Sequence, residues 1–229
     1  MDCDVKPRAG SSDWISIRLP GMSFDGSVVD LEAILHEWFP RRVKKEKMML
    51  SVFRTEGNSR NGLEDLITWA KARIPLHHMA EVGSYAGEST VLFAAAFDLV
   101  YAIDGWDAQS AKSIEADGWK ADIEAAEASF DERASLFPNV SKLKATSPFA
   151  ASYFLDRSLN LVYIDADHAY DAVLADIHAW TTKLTSPGIM SGHDYDGGHE
   201  GVARAVRETF GDVTHFVDGS WAILVESPR

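Results

Sequence analysis

The chain has 229 residues, of which 46% are hydrophobic and 25% charged, a composition typical of globular proteins and unlike that of disordered or fibrous ones. Its 22 Lys and Arg residues against 35 Asp and Glu residues give a formal net charge of −13, which disfavours nonspecific binding to nucleic acid. The single cysteine, Cys3, excludes a disulfide framework and a cysteine zinc site, so we expect a reducing, cytoplasmic setting. No apolar run approaches the roughly 20 residues of a membrane-spanning helix, so no membrane partner is expected.

Residues 1–60 differ from the rest in their sequence pattern and are predicted to form a small N-terminal cap segment. The pattern predicts a short helix over Val28–Phe39, stopped by Pro40, and a polar, hinge-like loop from Gly57 to Gly62. This segment is too short to bury a core alone. We therefore expect it to pack on a main domain made of residues 61–229.

From residue 63 onward, helical and strand-like patterns alternate along the chain. The strands are short apolar runs, and most of the helices carry apolar residues at helical spacing. The predicted strands are His78–Val82, Leu99–Ile103, Val140–Ala145, Leu159–Ile164, Ile189–Ser191, Val213–Val217 and Trp221–Val225. The predicted helices are Leu63–Ile74, Ser89–Phe97, Ala111–Phe137, Ser147–Leu155, Tyr170–Leu184 and Glu200–Phe210.

This alternation predicts an α/β fold with a doubly wound, mostly parallel, seven-stranded sheet that helices cover on both faces. The link Asp218-Gly219-Ser220 predicts that the last two strands form an antiparallel terminal hairpin. In such sheets, ligands bind at the carboxyl ends of the strands. Glu81, Asp104, Asp165 and Asp194 lie at or next to four of these ends, and this coincidence is the main functional signal.

The first two of these strand ends have features of a nucleoside site. Glycines 83 and 87 let a ligand approach the backbone closely, and the helix that follows presents free amides to an anionic group. The alternative is that these glycines serve only the tight strand–helix turn. The spacing is not the G-x-G-x-x-G of dinucleotide sites, which disfavours a nicotinamide cofactor. Asp104 can accept hydrogen bonds from ribose hydroxyls or simply cap a helix, and Trp106 can lie against a base ring or pack in the core.

The strand ends at Asp165 and Asp194 carry oxygen and imidazole groups. Asp167 and His168 follow Asp165 closely, and His193 precedes Asp194. Converging donors of these two kinds can hold a divalent cation. The alternative is that Asp167 caps the next helix and that His193 is structural.

Together, these segments resemble class I S-adenosylmethionine-dependent methyltransferases, in particular the small-molecule and sugar O-methyltransferases with the signature I-D-x-D-H-x-Y. The segments that carry the likeness are Glu81–Thr90, Tyr101–Trp106, Tyr163–Tyr170 and Gly192–Tyr195, in the order found in that family. The likeness covers about residues 63–225 and implies a Rossmann-like methyltransferase fold. It implies S-adenosylmethionine as cofactor, a small-molecule acceptor such as a sugar, phenol or natural product, and a homodimer.

The resemblance also implies roles for individual residues. The residues implied to bind the cofactor are Glu81, Gly83, Ser84, Tyr85, Gly87, Ser89, Asp104, Trp106, Thr146 and Ser147. Asp104 would hold the ribose, and Trp106 with Thr146 or Ser147 would flank the adenine. In metal-using relatives, the positions matching Asp165, His193 and Asp194 bind magnesium, so an imidazole at 193 is a departure that Mn, Fe, Ni or Zn would tolerate better.

Methyl transfer from a sulfonium needs alignment of the acceptor oxygen and removal of its proton. Our hypothesis makes Asp167 or His168 the base, while Asp165 and Asp194 hold a divalent metal, Mg or Mn, against the acceptor oxygen. One alternative is a metal-independent methyltransferase that uses His168 as base, and another is a noncatalytic cofactor-binding subunit. His199 either lines the acceptor pocket or belongs to a mobile loop.

Overall fold

The computed structural model of the protein describes residues 2–5, 15–18, 58–108, 110, 112, 122–196 and 198–226. The chain divides into two compact units, Met1–Val43 and Lys44–Arg229. In the first unit, β1 (Asp2–Val5) pairs antiparallel with β2 (Ile15–Arg18). The predicted helix over residues 28–39 and residues 113–121 of the predicted helix from Ala111 lie outside the described residues. The cap segment of residues 1–60 stays a prediction.

Seven further strands form one sheet within the described part of the second unit. They are β3 (His78–Val82), β4 (Leu99–Asp104), β5 (Val140–Lys144), β6 (Leu159–Ile164), β7 (Leu184–Gly192), β8 (Thr214–His215) and β9 (Trp221–Val225). Their order is β5-β4-β3-β6-β7-β9-β8. The pairs from β5 to β7 are parallel, and β9 is antiparallel to both β7 and β8. This confirms the predicted doubly wound fold with its antiparallel terminal hairpin.

Helices connect most of these strands. They are α1 (Asn58–Lys71), α2 (Glu88–Ala96), α3 (Ile123–Ala134), α4 (Ser147–Ala150, followed by a 3-10 turn over Ala151–Tyr153), α5 (Tyr170–Thr181) and α6 (Glu200–Phe210). Among the described residues, no helix has the length and apolar character needed to cross a lipid bilayer.

Several element boundaries differ from the sequence prediction, and two of them have a clear local cause. The helix α1 begins at Asn58, so most of the expected hinge-like loop is helical; its polar residues occupy the first turns, ahead of the buried Leu63 and Leu66. The helix α5 ends at Thr181, because Leu184 pairs with Leu159 as the first residue of β7. Apolar spacing alone could not separate these alternatives, since a buried leucine suits a helix end and a strand start equally.

The sequence of the central strand β6 is apolar except for Asn160, and its surroundings explain this. Every residue of β6 is buried. Leu161 and Tyr163 belong to the core on the side of α1 and α2, whereas Val162 and Ile164 belong to the core on the side of α5 and α6. A strand covered by helices on both faces favours apolar side chains. Asn160 is the exception, and its Oδ1 accepts a hydrogen bond from the His78 amide at 3.0 Å.

One buried face of α5 contains a carboxylate among apolar residues. Asp176 is 3% exposed and lies on the same face as Val173, Ile177 and Trp180. The Ser147 hydroxyl donates a hydrogen bond to Asp176 Oδ1 at 2.5 Å. Burial raises the pKa of Asp176 from 3.8 to about 6, despite that hydrogen bond, which lowers it. This side chain is therefore costly to keep ionised.

We expect Asp176→Asn to change how stability depends on pH. Because the pKa of Asp176 lies near 6 in the folded state and 3.8 is its ordinary value, the folded protein binds the proton more tightly. The free energy of unfolding therefore falls as pH rises between about 4 and 6, by on the order of 3 kcal/mol. Asparagine cannot titrate, so the variant should lose this fall and be more stable than the wild type at pH 7.5.

Urea denaturation at pH 4.5 and pH 7.5 measures this effect. Asp171→Asn is the matched control, because Asp171 is exposed on the same helix. An identical pH dependence in the wild type and both variants would contradict the assigned burial cost.

Candidate active site

A cavity of about 500 Å³ opens where β3, β4, β5, β6 and β7 end. This volume is within the range of roughly 300–1,000 Å³ that is common for small-molecule sites. Among the predicted site residues, those that line the cavity are Gly83, Ser84, Tyr85, Ser89, Asp104, Thr146, Ser147, Asp165, Asp167, His168 and Asp194. The strand ends that the sequence singled out therefore meet at one site.

The turn after β3 passes directly against the end of β6. Gly83 has a φ of 92°, and a Cβ atom there would lie 1.9 Å from the carbonyl oxygen of Asp165. The Gly83 amide donates to the Ile103 carbonyl at 2.8 Å, and the Asp165 amide donates to the Val82 carbonyl at 2.7 Å. Only glycine fits this close approach. It places the glycine turn beside the acidic residues that follow β6.

Two predicted cofactor residues support this turn instead of lining the cavity. Glu81 is fully buried and accepts hydrogen bonds from the hydroxyls of Ser84, at 2.9 Å, and Thr90. Burial raises the pKa of Glu81, and hydrogen bonds from neighbouring hydroxyls partly oppose that increase. Gly87, with a φ of 80°, is the residue before α2 and lies against the side chain of Phe130. Glu81 and Gly87 therefore shape the turn from outside the cavity.

Asp104 lines the cavity and also organises its own loop. Its Oδ2 accepts from the Tyr85 amide at 2.9 Å, and its Oδ1 accepts from the Trp106 amide at 2.8 Å and the Ser110 hydroxyl at 3.2 Å. The Ser110 hydroxyl also lies 3.4 Å from Asp107 Oδ1, to which it can rotate. A carboxylate has about four acceptor positions. When the Ser110 hydroxyl turns to Asp107, two acceptor positions of Asp104 are available for the hydroxyls of a ligand.

Trp106 does not line the cavity. Its side chain is buried, its Nε1 donates to the Tyr85 carbonyl at 2.7 Å, and its ring centroid is 4.8 Å from that of Phe130. The Lys142 ammonium lies 4.7 Å from the centre of the indole. Because these neighbours occupy the indole, the structure favours the alternative of a packed core tryptophan over the prediction that Trp106 flanks a base.

Asp165, His168 and Asp194 form the acidic end of the cavity. Each offers one donor atom, and the three atoms lie within 4.8 Å of one another, a spacing that could hold a metal ion. His168 Nε2 is 3.0 Å from Asp194 Oδ2. The sequence prediction put His193 in this set and gave His168 the role of base. Folding also brings His168 to the two carboxylates.

The other two histidines near Asp194 surround the same carboxylate. His193 Nδ1 lies 3.2 Å from Asp194 Oδ1 and 3.9 Å from Asp165 Oδ1, and its side chain lines a separate cavity of about 10 Å³. The His199 ring is 4.1 Å from that of His168, centre to centre. Burial raises the pKa of Asp194, but hydrogen bonds from His168 and His193 outweigh it and hold that pKa well below its usual range. Asp194 is therefore a firmly ionised centre.

Asp167 lines the cavity while it also organises the start of α5. Its Oδ1 accepts from the amide of Ala169, the N-cap residue, at 2.8 Å, but no side-chain hydrogen bond caps the helix itself, so the capping alternative is not supported. The sequence prediction missed Asp176, which also lines the cavity. A charged residue within the apolar stripe of Val173, Ile177 and Trp180 was the available signal.

Solved structures with the same fold include several methyltransferase-related proteins. Cofactor-bound Rv0187 from MTB is 16% identical, with 86% of this chain and 97% of that chain covered and a TM-score of 0.53. SMU.1697c from Streptococcus mutans, in complex with SAH, is 13% identical over 72% and 97% of the two chains, with a TM-score of 0.53. An rRNA methylase from Streptococcus thermophilus is 12% identical over 73% and 97%, with a TM-score of 0.52. At these identities, the likeness shows the fold alone.

The family itself is shown by a match in sequence. No curated protein matches this chain. A family model described as a methyltransferase domain matches residues 80–195, just over half of the 229 residues. This matched range contains the glycine turn, Asp104 and the cluster of Asp165, His168 and Asp194. The chain therefore belongs to the methyltransferase-domain family.

Proposed function

We propose that the protein transfers a methyl group from S-adenosylmethionine to a hydroxyl group of a small molecule. The observation that carries this proposal is that one cavity joins the glycine turn and Asp104 to the acidic cluster. In the reaction, the acceptor oxygen bonds to the methyl carbon, the carbon–sulfur bond breaks with its electrons on sulfur, and the acceptor loses its proton. The protein contributes alignment and a place for that proton.

The residues on the glycine-turn side suit a nucleoside bearing an amino acid. Asp104 has acceptor capacity for ribose hydroxyls, as described above. The start of α2, where Ser89 lines the cavity, presents backbone amides that favour a carboxylate. Ser84 and Tyr85 line the same wall. SAH in the complex of SMU.1697c supports a related ligand here.

We infer that Asp165, His168 and Asp194 hold a divalent cation at the acceptor end. Two carboxylates and one imidazole are a donor set that suits Mn, Fe or Zn better than Mg, which prefers oxygen ligands. When bound, such a cation lowers the pKa of a coordinated hydroxyl group. The carboxylates of Asp165 and Asp194 supply negative charge for this role.

A metal-independent reaction is the second candidate. The distance of 3.0 Å between His168 Nε2 and Asp194 Oδ2 favours it, because a carboxylate that orients an imidazole is a common arrangement for a general base. In this arrangement Nε2 donates to Asp194, so Nδ1 is the nitrogen that takes the acceptor's proton. A neutral imidazole that binds a cation through Nε2 carries its proton on Nδ1, so the two candidates exclude each other.

Asp104→Asn is expected to weaken binding of S-adenosylhomocysteine about 10- to 100-fold, because hydrogen bonds to a carboxylate are lost. Isothermal titration calorimetry measures the affinity. Asp98→Asn is the matched control, since Asp98 precedes the other end of β4 and its side chain is 72% exposed. Equal affinity in both variants would remove Asp104 from the cofactor site.

The two candidate reactions respond differently to a chelator. With a cation in the cluster, EDTA and Asp165→Asn should each lower kcat by about 100-fold or more, and added Mn²⁺ should restore the EDTA-treated wild type. Without one, EDTA has no effect, while His168→Gln lowers kcat about 100- to 10,000-fold.

The control for His168→Gln is His178→Gln, because His178 is exposed on α5 outside the cavity. Full activity of Asp165→Asn and of His168→Gln would contradict both candidates.

A panel of acceptors tests the substrate class. The net charge of −13 opposes polyanionic substrates, so we expect release of S-adenosylhomocysteine with sugars, phenols or other small hydroxyl compounds and not with ribosomal RNA. The RNA arm is necessary because a protein of this fold is an rRNA methylase. Activity on RNA alone would overturn the proposed substrate class.

A further inference from the structure

The cavity wall beside the loop after β5 is mostly apolar and contains one buried carboxylate. The apolar residues are Ile103, Ala145, Pro148 and Ala172, and the carboxylate is that of Asp176. In the sheet order, three strands separate β5 from β7, the strand that precedes Asp194. Apolar walls with a polar group at one edge suit a flat heteroaromatic ring.

A chain of hydrogen bonds fixes which way the polar groups of this wall point. Trp180 Nε1 can only donate, and it donates to the Ser147 oxygen at 3.0 Å. The Ser147 hydroxyl then donates its own proton to Asp176 Oδ1 at 2.5 Å. Within the described residues, this is the one hydrogen bond that the Asp176 carboxylate accepts. Asp176 therefore retains acceptor capacity for a ligand.

We propose that Asp176 accepts a hydrogen bond from the exocyclic amine of the adenine and makes the site selective for a 6-amino over a 6-oxo purine. The inference rests on the proposed function, since it assumes that the cavity binds the S-adenosyl group. The Asp176 carboxylate can only accept from the ligand when ionised, and an amine can only donate to it. A 6-oxo group would place an acceptor against this acceptor.

The buried position of Asp176 strengthens the selectivity. The buried Asp176 carboxylate has lost most of its hydrogen bonds to water and accepts a single hydrogen bond from the protein. A hydrogen bond from the amine of the ligand partly compensates for this loss. A ligand that lacks the amine leaves this group without that partner. Sites built to pair a ligand group in this way reject analogues lacking it far more strongly than apolar pockets reject small changes in shape.

Binding of S-adenosylhomocysteine and of its 6-oxo analogue, S-inosylhomocysteine, tests the proposal by calorimetry at pH 7.5. The wild type should prefer the 6-amino compound at least about tenfold. Because the Ser147 oxygen already accepts from Trp180, its hydroxyl proton remains available to donate to residue 176. In Asp176→Asn, the amide oxygen therefore accepts this hydrogen bond, and the amide NH₂ faces the cavity. This variant should prefer the 6-oxo compound.

Two further variants complete the experiment. Asp176→Ala removes the acceptor without adding a donor, so its preference should fall close to one, and it serves if the asparagine variant fails to fold. Asp171→Asn, exposed on the same helix, should keep the wild-type preference.

A wild-type preference retained in Asp176→Asn or Asp176→Ala would overturn the proposal while leaving the proposed function intact. Failure of the wild type to bind S-adenosylhomocysteine would overturn both. A merely structural role for Asp176 would change stability and leave the ratio of the two affinities unchanged.

Discussion

The contact between Gly83 and the backbone of Asp165 determines the geometry of the whole site. Because residue 83 has no side chain, the turn after β3 lies against the first residues after β6. The strands β3 and β6 are paired up to this point, and the hydrogen bond from the Asp165 amide to the Val82 carbonyl links their ends next to the contact. A wall suited to a nucleoside and a cluster of carboxylates and imidazoles thus share one cavity. Methyl transfer depends on such a shared cavity, because its rate is set mainly by alignment of two reactants.

Carboxylates and imidazoles cluster where β6 and β7 end. Asp194 lies within reach of His168 and His193, and these two histidines keep it ionised although it is largely shielded from water. Close packing also brings His199 to the cluster: a Cβ atom on Gly201 would lie 2.4 Å from the His168 carbonyl oxygen, so glycine lets the start of α6 approach His168. An anionic centre among imidazoles can hold a cation or orient a base, and the protein's own residues are suited to both.

The helix α5 contributes both to the hydrophobic core and to the cavity wall. The face of α5 that packs the core through Val173, Ile177 and Trp180 also carries Asp176 to the cavity. Such a residue is costly to the fold and useful to a ligand that donates to it. Proteins commonly keep unfavourable polar groups at functional sites for this reason.

The sequence by itself determined the order of strands and helices, the parallel sheet with its terminal hairpin, and the four strand ends that meet at the cavity. These features follow from local hydrophobic patterning and turn residues, which the chain displays directly. Tertiary structure decided which side chains face that cavity. Glu81 and Trp106 are buried outside the cavity lining, His168 lies with Asp165 and Asp194, and Asp176 reaches the cavity from an apolar stripe. Side-chain direction at a strand end depends on contacts between residues far apart in the sequence, such as Gly83 with Asp165 and Ser147 with Asp176, and local patterns carry no record of those contacts.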